Sequence, residues 1–113
     1  MNTQSEDHWH WGKQVIACFD DLQTELDQHE PPVVDREIIP PFDGSPGGIF
    51  AWFICEKATD VEKLKAAEVS LKSKIQARMK DRGFSSAAIS SFEVNATSLE
   101  DIENGGGRFY FFR

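Results

Sequence analysis

The chain has 113 residues, 40% hydrophobic and 12% aromatic, a composition that supports one compact core without disulfide or metal and excludes extended disorder. Its 19 acidic and 12 basic residues leave a formal charge of −7, which argues against nucleic acid as a partner, because phosphate contacts need clustered lysine and arginine. The same charge favours encounter with a basic protein, and it also serves solubility.

The N-terminal stretch MNTQSEDHWHWGK is polar, carries acids early and lacks the features of a secretion signal. No run approaches the roughly 18 apolar residues of a membrane span, so no membrane contact is expected. Cys18 and Cys55 lie far apart, each inside an apolar pattern, and read as small buried hydrophobes of a reducing cytoplasm. The expectation is a cytoplasmic protein of one domain, 1–113, with residues 1–6 frayed.

Over 6–29 the pattern predicts a helix: Val15, Phe19, Leu22 and Leu26 fall at spacings of four, three and four, with Trp11 one turn earlier. Asp20, Asp21, Glu25 and Asp27 lie off that stripe and give the helix an acidic side. Thr3 with Glu6, or Ser5, can cap its start, and Pro31 and Pro32 end it. Segment 33–42, VVDREIIPPF, reads as an extended segment confined to a sheet edge or to an early exit from the ladder, since Pro40 and Pro41 remove two amide donors. DGSPGG at 43–48 is a loop. IFAWFIC at 49–55 is apolar on both faces, which places that strand inside its sheet.

A second helix is predicted over 59–82. Thr59 and Glu62 form a capping box, Val61, Leu64, Leu71, Ile75 and Met79 make the stripe, and Gly83 supplies the stop. ISSFEVNAT at 89–97 alternates, with Phe92, Val94 and Ala96 on one side, and predicts a strand with one wet face. Residues 98–101 can start a helical turn, NGGG at 104–107 is a flexible connection, and RFYFF at 108–112 predicts a last strand.

The resulting order αββαββ predicts an α+β two-layer sandwich with a four-stranded, mainly antiparallel sheet. Strands apolar on both faces belong in the middle and the others at the edges, which selects sheet order 3-4-2-1 with both helices on one face. This is a circularly permuted ferredoxin-like βαββαβ arrangement. It makes the second and fourth strands parallel, so both glycine loops enter at one end of the sheet and share a rim carrying Asp43, Glu100, Asp101 and Glu103. Both faces of 49–55 are apolar, so either can meet the helices. If Phe50, Trp52, Tyr110 and Phe112 face away, the bare aromatic patch calls for a covering partner, or for the tryptophan-bearing N-terminal tail.

No catalytic, metal or cofactor signature emerges. His8 and His10 in HWHW are two apart, His29 is distant, and no CxxC accompanies them. Neither cysteine has a base beside it in the sequence pattern, and the glycine runs lack the spacing of phosphate cradles. The expected function is therefore non-enzymatic protein binding by a small acidic inhibitor, such as the immunity protein of a bacterial toxin pair, neutralising a basic toxin nuclease. Asp20, Asp21, Glu25, Asp43, Glu100, Asp101 and Glu103 would supply the charge, with Trp52, Tyr110 and Phe112 as anchors. The rivals are a homodimer joined through its sheet faces around a small ligand, and a small enzyme using the glycine-loop rim.

Overall fold

The computed structural model describes the backbone of residues 3–112 and the side chains from Trp9 onward. The first predicted helix is present as α1, Thr3–Asp21, followed after a turn at Leu22 by α2, Gln23–Gln28. Val15, Cys18, Phe19, Leu22 and Leu26 all lie buried along one side, as a stripe at helical spacing demands. The frayed segment expected at 1–6 falls partly outside the described residues, and the backbone from Thr3 is helical.

Strand β1, Asp35–Ile39, stops before Pro40, and β2, Phe50–Cys55, follows the glycine loop. A 3-10 turn, Ala58–Asp60, leads into α3, Val61–Ala66, and α4, Glu68–Asp81, so the helix predicted over 59–82 is broken at Ala67. The expected cap by Thr59 is absent, and the Ala58 amide donates instead to Glu100 Oε1 at 2.7 Å. Gly83 ends α4 with φ 88°, a conformation open to glycine at no steric cost. Ser85 then caps α5, Ser86–Ser91, by accepting from the Ala88 amide. The third strand therefore begins only at β3, Glu93–Ser98. Ser98 in turn caps α6, Leu99–Asn104, through the Asp101 amide, and α7, Arg108–Phe111, closes the described chain.

The sheet has three strands in order β1-β2-β3, antiparallel between β1 and β2 and parallel between β2 and β3. This overturns the four-stranded, mainly antiparallel, permuted ferredoxin-like sheet of order 3-4-2-1 with two helices on one face. The described residues form a mixed three-stranded sheet with seven helices. Two local causes account for the difference. Gly106 and Gly107, at φ 94° and 92°, turn the chain so that 108–111 winds into one helical turn and does not pair in the sheet as a strand. The helices between β2 and β3 then serve as the long crossover that parallel neighbours require, and β3 takes the place beside β2.

β2 is central, and the register settles which of its faces meets the helices. Ala51, Phe53 and Cys55 stand with Val94, Ala96 and Ser98 of β3 and with Arg36 and Ile38 of β1. Phe53 meets Phe19 of α1 with ring centroids 5.4 Å apart. Phe50, Trp52 and Ile54 point away, alongside Asp35, Glu37 and Ile39.

Each edge strand has backbone groups engaged away from the sheet. On β1 the Arg36 amide donates to Asp35 Oδ1 at 2.8 Å, while its carbonyl accepts from Arg108 Nη2 at 2.8 Å. On β3 the Ala96 amide donates to Asn95 Oδ1, and Ala96, Thr97 and Ser98 are buried where α3 packs against the strand. Edges occupied in this way resist pairing with another chain.

Candidate functional site

Three acids of α1 and α2 are held by the chain's own cations, and Asp27 accepts from Gln23 Nε2. Asp20 pairs with Arg36 at 2.8 Å, Asp21 with Arg82 at 2.9 Å and Glu25 with Lys74 at 2.7 Å. The hydrogen bond and charge of Lys74 hold the Glu25 carboxyl below the usual carboxylate range. Asp21 raises the Arg82 guanidinium above its ordinary value. Three of the four acids read from the helix pattern, Asp20, Asp21 and Glu25, are thus neutralised within the fold.

A different acidic region forms where the parallel strands β2 and β3 end. Glu56 follows β2, and Glu100, Asp101 and Glu103 lie on α6 directly after β3. Glu56, Glu100 and Glu103 line one open hollow with Leu99 and Asn104. Asp60 and Asp101 are close enough to push the neighbouring Cys55 thiol upward, after burial as the main cause. No ion pair engages any of these five carboxylates among the described residues, and Lys57 is the cation that shares the 56–60 stretch. Asp43 does not join them. It precedes β2, where its Oδ1 accepts from the Ser45 amide, so a strand about 20 Å long separates it from α6. The shared glycine-loop rim is not assembled, because β3 rather than the last segment pairs with β2.

The face of the sheet turned away from α1 and α4 is covered by the chain's own C-terminal segment. Trp52 contacts Phe111 and Phe112 at 5.8 and 5.4 Å between centroids, and Phe50 at 5.7 Å. Arg108 binds Glu37 through Nε and Nη2 at 3.1 and 2.7 Å and Asp35 through Nη1 at 2.6 Å, and lies over the Phe112 ring. Burial opposes the charge on Arg108, yet its hydrogen bonds to Glu37 and Asp35 outweigh that and raise its pKa. Of the three expected aromatic anchors, Trp52 and Phe112 are partly covered by one another, whereas Tyr110, beside Phe109, is 67% exposed. The sequence reading missed Arg108 as an organising residue. The signal available to it was a lone cation between three glycines and four aromatics, opposite a strand reading DRE.

Among the described residues no group of three or more His, Cys, Asp or Glu is arranged to hold a metal. His10 packs edge-on against Trp11, and His29 Nδ1 donates to the Pro31 carbonyl at 2.9 Å, while the side chain of His8 lies outside the described residues. Cys18 and Cys55 are buried free thiols. Burial pushes Cys18 up to about 11, with Arg82 opposing and Asp21 reinforcing the shift. At pH 8 the native Cys18 thiol is accordingly expected to stay protonated and to resist iodoacetamide, reacting only once the chain unfolds. Mass-spectrometric counting of alkylated sites with and without denaturant checks this. Because folding raises this pKa from 9.0, the group's contribution to stability is present below pH 9 and is lost as pH rises toward 11.

No helix among the described residues is long and apolar enough to cross a membrane. No protein-family model, curated protein or solved structure matches this chain.

Proposed function

We propose that the chain is a non-enzymatic protein-binding module of the cytoplasm, a small acidic inhibitor of the immunity-protein kind that neutralises a basic protein such as a toxin nuclease. The observation that carries this reading is the separation of its charges. Asp20, Asp21 and Glu25 of α1 and α2 are matched by Arg36, Arg82 and Lys74, while among the described residues Glu56, Asp60, Glu100, Asp101 and Glu103 gather without ion pairs where β2 and β3 end. Such a patch attracts a cationic partner and steers its approach. Tyr110 adds an exposed aromatic next to it, since the Gly106 amide donates to the Glu103 carbonyl and Gly106 packs against Tyr110. Aromatic contacts beside charged rims are common anchors at interfaces. Two buried free thiols are in keeping with a reducing compartment. The homodimer joined through the far sheet face has less support, because Phe111 and Phe112 already occupy Trp52.

The test is to co-express the chain with basic nuclease domains, those of neighbouring reading frames first, and to measure co-purification and nuclease activity. The expected result is a stoichiometric complex whose toxin activity is suppressed, with affinity falling as salt rises. A basic domain that neither binds nor loses activity would count against the proposal.

A further inference from the structure

We propose that residues 108–112 form a strap that opens on its glycine hinge as a unit, without unfolding the domain, and that Arg108 is its latch. The segment is held differently from everything beneath it. No residue of α7 is buried, and Phe109 and Tyr110 are both 67% exposed. Four residues are far too few for a helix to persist in water unaided, so α7 exists only through what it touches. Among its contacts are the Trp52 ring, through Phe111 and Phe112, β1, through Arg108, and Gly105 at the end of α6, against which Phe111 lies.

The latch concentrates its bonds on one side chain. All three nitrogens of the Arg108 guanidinium are engaged, by Glu37, Asp35 and the Arg36 carbonyl, yet the side chain remains 41% exposed. Ion pairs this exposed are weakened by salt and are individually modest, so the set can be broken without disturbing the core. Gly106 and Gly107, at φ 94° and 92°, join α6 to α7, and their amides close α6 by donating to the Glu103 and Ile102 carbonyls, so the strap moves about the backbone that follows Gly107 while α6 stays capped. Opposite the hinge, Ala51, Phe53 and Cys55 are fully buried between β2 and the helices and take no part in the strap contact. Regions held by few buried contacts open at lower free energy than the core.

Opening bares Trp52 together with the Arg36 carbonyl on the β1 edge. In the closed form the strap masks both the aromatic face and that edge. The strap is therefore an intramolecular cover over the one sheet face that the long helices leave uncovered.

Native-state hydrogen exchange of the full chain tests this directly. The Phe111 and Phe112 amides, which donate to the Gly107 and Arg108 carbonyls, are the reporters, and the Phe53 amide is the core reference. In the wild type the strap amides should exchange at least about a hundredfold faster than that of Phe53, and their exchange should hardly depend on denaturant, as a small local opening requires. Arg108→Ala should speed strap exchange about tenfold and make Trp52 more accessible to acrylamide, with the Phe53 amide unchanged. Arg108→Lys should fall between. Raising salt to roughly 1 M should bring the wild type toward the alanine variant. The proposal is overturned if strap and core amides exchange at one rate with one denaturant dependence in the wild type, or if Arg108→Ala leaves the strap amides unchanged. The wild-type comparison decides even if the alanine variant does not fold.

Discussion

Replacing Phe53 with alanine is expected to lower the free energy of unfolding by about 3–5 kcal/mol. The ring lies at the centre of β2, is fully buried, meets Phe19 of α1 at 5.4 Å and stands in register between Arg36 and Ala96. Removing it takes away the ring contact between β2 and α1 and leaves a cavity that Ala51 and Ala96 are too small to fill. Domains of this size have about 5–15 kcal/mol to lose, so the variant should sit close to its unfolding threshold at room temperature. Urea denaturation measures the effect, and a lower midpoint with an unchanged slope is the signature of lost stability alone. Phe42→Ala is the matched control, because Phe42 is 97% exposed and the same chemical change there should cost less than about 0.5 kcal/mol. Equal effects at the two positions would contradict the assignment of the core.

Reversing charge at the end of the parallel strands should have the largest effect on function. Glu56→Lys with Glu103→Lys adds four charge units and takes the net charge from −7 to −3. Both residues line the same hollow, and neither is in a salt bridge, so folding should change little. Association with a basic partner should slow by about 10- to 100-fold at low salt, read by stopped-flow or surface binding. Asp20→Lys with Glu25→Lys makes the same net change on the helix side, where Arg36 and Lys74 already neutralise the acids. That pair should slow association far less. If the two double variants behave alike, total charge rather than its placement governs the encounter.

The comparison of sequence and structure turns on which signals are local. The stripe of α1, the proline stop after β1, the two-sided apolar run of β2 and the Gly83 terminus were legible because each is decided within a few residues. The run 108–112 was not, because four consecutive aromatics fit one helical turn as well as a strand, and only the backbone angles at Gly106 and Gly107 choose between them. Segment 89–97 misled for a similar reason. Ser85 caps a helix that consumes Ile89, Ser90 and Ser91 before the alternation of β3 begins. Once the last strand is lost, the parallel pairing of β3 with β2 follows, and no hydrophobic pattern encodes that adjacency.

The candidate site divides along the same line. Glu100, Asp101 and Glu103 are neighbours in sequence and stay neighbours in space, so their grouping was readable. The partners of Asp20, Asp21 and Glu25 were not, since Arg36, Arg82 and Lys74 lie 16, 61 and 49 residues away. Glu56 joins the acidic group only because β2 and β3 run in the same direction and end together.

The most direct test of the acidic face needs no identified partner. A short oligolysine peptide titrated into the isotopically labelled chain reports, through amide chemical shifts, where a cation prefers to sit. Shifts centred on residues 56–60 and 99–104, and suppressed by salt, are the predicted result. Shifts centred on 20–25 along α1 and α2 instead would contradict the account.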